Sequence, residues 1–220
     1  MTKTLLIVEG VADAVFVTCY LKSILGPQNE VVNIKKFIKG EKTIICNKPD
    51  LNIFIAGGCT HVKQFRTSLR MYQDQGYKLL MIQDADNSEK DKANGGIVNR
   101  ISFLNEIKSE FKIEFETFLF PDNKSDGDLE DILVSIANRK RFEVFFNCFN
   151  AYFDCVSNFA ETQHVSELRE NKSLIYNYCQ VFTGKDQSNE KNRDYNSEFW
   201  NLNDELLTPF KTFLEEQIDI

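Results

Sequence analysis

No run of about 18 consecutive apolar residues occurs in this sequence, which excludes a membrane-spanning helix. Histidine is almost missing, with only His61 and His164. That removes His-rich metal sites and argues against a Ser-His-Asp triad. No Cys-x-x-Cys pair exists among Cys19, Cys46, Cys59, Cys148, Cys155 and Cys179, so a zinc site is not expected and reduced thiols are. A signal-peptide layout is lacking too: Met1-Thr2-Lys3-Thr4 leads straight into a strand pattern. With the thiols, this predicts a cytoplasmic location. Internal repeats and low-complexity tracts are absent. Basic residues are outnumbered, 26 Lys and Arg against 33 Asp and Glu, for a net charge of −7. Bulk electrostatics therefore oppose sequence-independent binding to nucleic acid, and any such contact needs a local basic patch or a bound cation.

What is present is apolar strand grammar. In Lys78-Leu79-Leu80-Met81-Ile82-Gln83-Asp84-Ala85-Asp86, an apolar run opens into acids, as a buried strand entering a polar site does. Residues i and i+2 of extended backbone point to one side, so Asp84 and Asp86 are expected to face one small volume, around a divalent cation. Leu5-Leu6-Ile7-Val8-Glu9-Gly10 repeats the grammar. Three clustered carboxylates would repel one another, and a cation removes that penalty. Mg²⁺, or Mn²⁺, suits one or two carboxylates plus waters and phosphate.

With 220 residues, the chain makes one domain or one and a half, at about 100–200 residues each. Strand patterns are predicted at residues 4–8, 31–38, 52–56, 78–83 and 115–120, with a polar arm over 39–50. Helices are predicted at 11–25, 60–75 (stripe Val62, Phe65, Leu69, Tyr72) and 97–111 (Ile97, Ile101, Leu104, Phe111 inward). This alternation predicts an α/β fold with a mostly parallel sheet, its ligand site beyond the carboxyl ends of the strands. After Pro121 the pattern turns helical. A helix over 128–137 turns Leu129, Ile132, Leu133 and Ile136 inward. An aromatic-faced one follows (Phe142, Phe145, Phe149, Tyr152, Val156, Phe159), then one over 165–182. Gly184–Ser197 reads as a mobile polar loop, and Thr208-Pro209 as the cap and first position of a last helix burying Phe210, Phe213 and Leu214.

Val8-Glu9-Gly10 with Asp13, and Gln83-Asp84-Ala85-Asp86, resemble the TOPRIM domain, the metal-binding catalytic module of topoisomerases, bacterial primases and certain nucleases. The start is most similar to the variant in overcoming-lysogenisation-defect nucleases. With Phe118-Leu119-Phe120-Pro121-Asp122-Asn123 and Gly127-Asp128-Leu129-Glu130-Asp131-Ile132-Leu133, the set resembles a family of uncharacterised bacterial TOPRIM-like proteins. The resemblance implies a TOPRIM-like, Rossmann-like α/β domain over 1–125 and a helical region over 126–220 packed on it. It also implies Mg²⁺-dependent phosphoryl transfer on DNA or RNA, with Glu9 as general acid or base and Asp84 and Asp86 holding the metal. The chain has no room for the tyrosine-bearing domain of a topoisomerase or the accessory domains of a primase, so of these activities a nuclease fits best.

Each feature has a plainer reading. Strand-end acids satisfy local backbone donors. Asp13 either supports the metal or complements the dipole of its helix. Asp126, Asp128, Glu130 and Asp131 cap a helix or form a second metal site, with the resemblance favouring Glu130. Gly57 and Gly58 either cradle a phosphate or make a tight turn. Lys63, Arg66 and Arg70 share a helix face, as phosphate contacts or as a solvated row. The aromatic stripe is core, or leaves a homo-oligomer or protein partner open. Two classes of function follow: a Mg²⁺-dependent nuclease or phosphodiesterase, and a non-catalytic module binding metal, nucleotide or a partner protein. A haloacid-dehalogenase-type phosphatase ranks low, because its Asp-x-Asp follows the first strand, where Glu9 stands here.

Overall fold

The computed structural model describes residues 3–25, 36–38, 41–45, 51–89, 91–163, 170–187 and 189–218. Six strands form one sheet: β1 (Lys3–Val8), β2 (Lys36–Ile38), β3 (Glu41–Ile45), β4 (Leu51–Ile55), β5 (Tyr77–Asp84) and β6 (Glu116–Phe120), in the order β2-β3-β4-β1-β5-β6. The four strands β4, β1, β5 and β6 run parallel, and β3 and β2 continue antiparallel at one edge. Of the strand predicted over 31–38, residues 36–38 form β2; residues 31–35 lie outside the described residues. The arm over 39–50 supplies β3, and its other residues lie outside too.

Both faces of the parallel core are covered, which is why its strands are unbroken apolar runs. Leu6, Val8, Ile53, Ile55, Leu80, Ile82, Phe118 and Phe120 point to one face. Leu5, Ile7, Phe54, Leu79, Met81 and Leu119 point to the other. The first face carries α1 (Val11–Leu25) and everything helical after β6: α4 (Leu129–Ile136), α5 (Glu143–Gln163), α6 (Glu170–Thr183) and α7 (Thr208–Gln217). The second carries a 3₁₀ turn (Thr60–Phe65), α2 (Arg66–Asp74) and α3 (Ile97–Phe111). The result is an α/β fold with a parallel sheet core flanked by helices. No helix among the described residues is long and apolar enough to cross a membrane.

Four expectations change. On α3 the residue turned inward is Arg100, 1% exposed, while Ile101 is 45% exposed. On α5, Phe146 and Phe149 are buried, but Tyr152 and Phe159 are 60% and 57% exposed, so the stripe is core only in its first half. Gly184–Ser197 is no open loop: Tyr195 is fully buried against Phe16 and Trp200. Thr208 also sits one position inside its helix. Leu207 takes the N-cap place with no side-chain cap; Asp204 instead caps the preceding 3₁₀ turn (Glu205–Leu207), its Oδ1 accepting from the Leu206 N–H at 3.1 Å.

Candidate functional site

Strand connections decide where a site can form. The helix after β1 lies on one face, while those after its neighbours β4 and β5 lie on the other. β1 is therefore flanked by topological switch points, whose crevices open beyond the carboxyl ends of the strands. Glu9 stands at that end of β1 and Asp84 at that end of β5, on adjacent strands registered Val8 to Ile82. Glu9 Oε1 accepts from the Asp84 N–H at 3.3 Å. Asp13, in the first turn of α1, accepts from the Gly10 N–H at 2.7 Å.

Asp84 turns towards α4, and its Oδ1 accepts from the Leu129 N–H at 2.9 Å. Asp128 caps α4 in a capping box with Asp131, which uses that pair much as the plainer reading held. Asp126 caps α3 from a distance, accepting from the Ile97 N–H and from Ser88; these bonds hold its carboxyl below the usual range. Glu130 is buried on α4, and Lys172 of α6 reaches within 3.7 Å of it.

Asp84 and Asp86 take different direct partners, because Asp86 has φ 59 and leaves the extended conformation, although Glu9 and Lys172 face both. Its backbone forms a two-bond bridge with Gly127, 2.7 and 2.9 Å, and its carboxylate pairs with the Arg100 guanidinium. Gly127 itself has φ 143, and a Cβ there would meet Asp131 Oδ2 at 2.6 Å, so this crossing needs glycine.

The carboxylates around Asp84 interact strongly. Burial, and then Asp13, Glu9, Glu130 and Asp128, hold Asp84 well above the usual carboxylate range. Burial pushes Glu9 up to about 7, with Arg100 opposing and Asp13 and Asp86 adding to the rise. Asp128 is pushed up to about 6 by burial, Glu130 and Asp131. Burial also raises Asp13 and Glu130. Lys172 faces this group: burial works against its charge, but Glu130, Asp128, Asp84 and Asp86 outweigh that.

The donors are all oxygens, and negative charge is in excess, which fits a hard divalent cation held by one or two carboxylates with water completing its shell. A closed cage is not formed: among the described residues no group of three or more His, Cys, Asp or Glu is arranged to hold a metal ion. A pH dependence follows. Each raised carboxyl binds its proton more tightly folded than unfolded. Their contribution to the stability of the metal-free protein is therefore fully present below about pH 4 and is lost as pH rises through about 7, the value to which Glu9 is pushed. Thermal melts at stepped pH should show this decline without divalent cation and a shallower one with Mg²⁺. A parallel decline in both series would remove the cation from this group.

Of the other expected contacts, the basic row faces α3 and the amino end of the sheet, while the glycine turn lies beside Glu9. Lys63 sits over the Phe103 ring and Arg66 over Phe111, at 5.0 and 5.5 Å. Arg66 and Arg70 line a shallow depression with Met71 and Asp74, towards the amino end of the sheet and away from Asp84. The Gly57 N–H donates to the Glu9 carbonyl at 2.7 Å, and His61 Nδ1 lies 2.8 Å from the Gly57 carbonyl, so this turn closes on β1.

A family model described as a protein of unknown function (DUF3226) matches residues 3–219. The chain belongs to this family. Comparison with curated proteins and with solved structures gave no match. In this DUF3226 chain, two residues of the site carried no recognised signal in the sequence. Lys172 lies in a segment without a motif. Arg100 occupies a helical position where the period calls for an apolar residue, and that mismatch was the available clue.

Proposed function

We propose that this protein is a Mg²⁺- or Mn²⁺-dependent phosphoryl-transfer enzyme of the TOPRIM type, a nuclease or phosphodiesterase acting on nucleic acid. The observation that carries the reading is the meeting of Glu9, Asp13, Asp84 and Glu130 at the switch point of a parallel sheet, where with Asp86 and Asp128 they outnumber the cations that face them, Lys172, Arg193 and Arg100. Asp84, with Asp13 or Glu130, would hold the cation. Such a cation supplies charge against a phosphoryl oxygen and a bound water of lowered pKa. Glu9 accepts or returns the proton, held in place by the Asp84 N–H. Lys172, with its side chain 46% exposed, can turn from Glu130 to a phosphate oxygen.

The net charge of −7 and the commitment of Lys63 and Arg66 to rings of α3 favour a second reading, a module that binds metal, nucleotide or a protein partner without catalysis. Purified protein incubated with single-stranded and duplex DNA and RNA, with Mg²⁺, Mn²⁺ or chelator, separates the two. Cleavage that chelator abolishes is expected. If none of the four substrates is cut with either ion, the binding module takes its place.

A further inference from the structure

We propose that Arg100 is a positioning residue that selects which carboxylates a divalent cation can use, by holding Asp86 against α3 and leaving the ion to the Asp84 group. The inference rests on reading that group as the cation site. In an extended Asp-x-Asp both side chains would serve one ion. Here they part: Asp84 accepts from the first N–H of α4, and Asp86 turns to α3. The turn is fixed from two sides, by φ 59 with the Gly127 bridge and by the guanidinium itself.

The Arg100 side chain is 1% exposed, and its Nε has no partner among the described residues. A buried charge so placed must keep its counter-charges. Glu9 and Asp86 are the carboxylates that face it, beside the Cys59 thiol. Asp86, by contrast, is 44% exposed and would be free to swing if Arg100 let go. Lys172 is ion-paired into the other group, and Arg193 also faces Asp13 and Glu130 there. With Asp128 beside them, Asp84, Asp13 and Glu130 still leave negative charge in excess.

The test is Mn²⁺ binding by the full chain, read from the electron paramagnetic resonance signal of free Mn²⁺. Asp84→Asn should weaken binding by about 10–100-fold, the usual range for groups that hold or orient a metal. The double change Asp86→Asn with Arg100→Met removes the pair without altering net charge, and should bind within about threefold of wild type. Met replaces the buried Arg100 with an apolar side chain and Asn is nearly isosteric with the half-exposed Asp86, so no uncompensated charge is left, and far-ultraviolet circular dichroism checks the fold. Arg100→Met alone releases Asp86 to the ion and should bind about tenfold tighter, a gain lost in the double variant. If the double variant weakens binding as much as Asp84→Asn, Asp86 is a ligand and the inference falls while the cation site stands. If Arg100→Met folds and binds as wild type does, the selecting role falls as well. If wild type binds no Mn²⁺, the reading of the site itself has failed.

Discussion

Glu9→Gln should leave the fold intact and lower metal-dependent phosphodiester cleavage on the order of 10²–10⁴-fold. The change keeps the side chain's length and its acceptor for the Asp84 N–H, and it removes one of the charges that repel Asp84. Stability near neutral pH should therefore hold or rise, because an ionised Glu9 is disfavoured where it stands. Mn²⁺ affinity should change little, since the proton carrier is separate from the groups that hold the ion. Asp84→Asn should show the reverse pattern: weaker ion binding, with activity partly restored by excess Mg²⁺ or Mn²⁺. Rate measurements at saturating and limiting Mn²⁺ distinguish the two. A Glu9→Gln protein that cleaves at the wild-type rate would remove Glu9 from the chemistry.

Phe210→Ala should destabilise the whole chain by about 3–5 kcal/mol, the range for a large buried aromatic cut to alanine. Phe210 is fully buried. It belongs to α7, yet its ring packs on Phe16 and Tyr20 of α1 and on Phe118 and Phe120 of β6, with centroids 4.9 to 6.3 Å apart. The last helix thus completes the core that the first strand and helix begin. At about 2–4 °C per kcal/mol for a chain of this size, the melting temperature should fall by about 6–20 °C. The single tryptophan, Trp200, is 1% exposed and reports on the helical part, while far-ultraviolet circular dichroism reports on the whole. Both probes should move together in the variant as in wild type. Separate transitions would mean that sheet and helical region fold as distinct units.

The sequence by itself determined the parallel strands and the helices between them, because that information is local. An apolar run of strand length, buried on both faces, cannot be mistaken for a surface helix, and Gly10 and Pro121 stand where elements stop. It also placed Glu9 and Asp84 at carboxyl ends of strands, since position along a strand is read by counting. Which strands are neighbours was decided only by the tertiary structure. So was the partner of each acid, because a side chain's direction at a strand end depends on one backbone angle. At Asp86 that angle is left-handed, and the carboxylate goes to Arg100 where the two-residue period sends it towards Asp84. Arg100, Glu130 and Lys172 come from α3, α4 and α6, far apart in the chain. Their meeting with strand-end acids is a consequence of packing, and no spacing in the sequence encodes it.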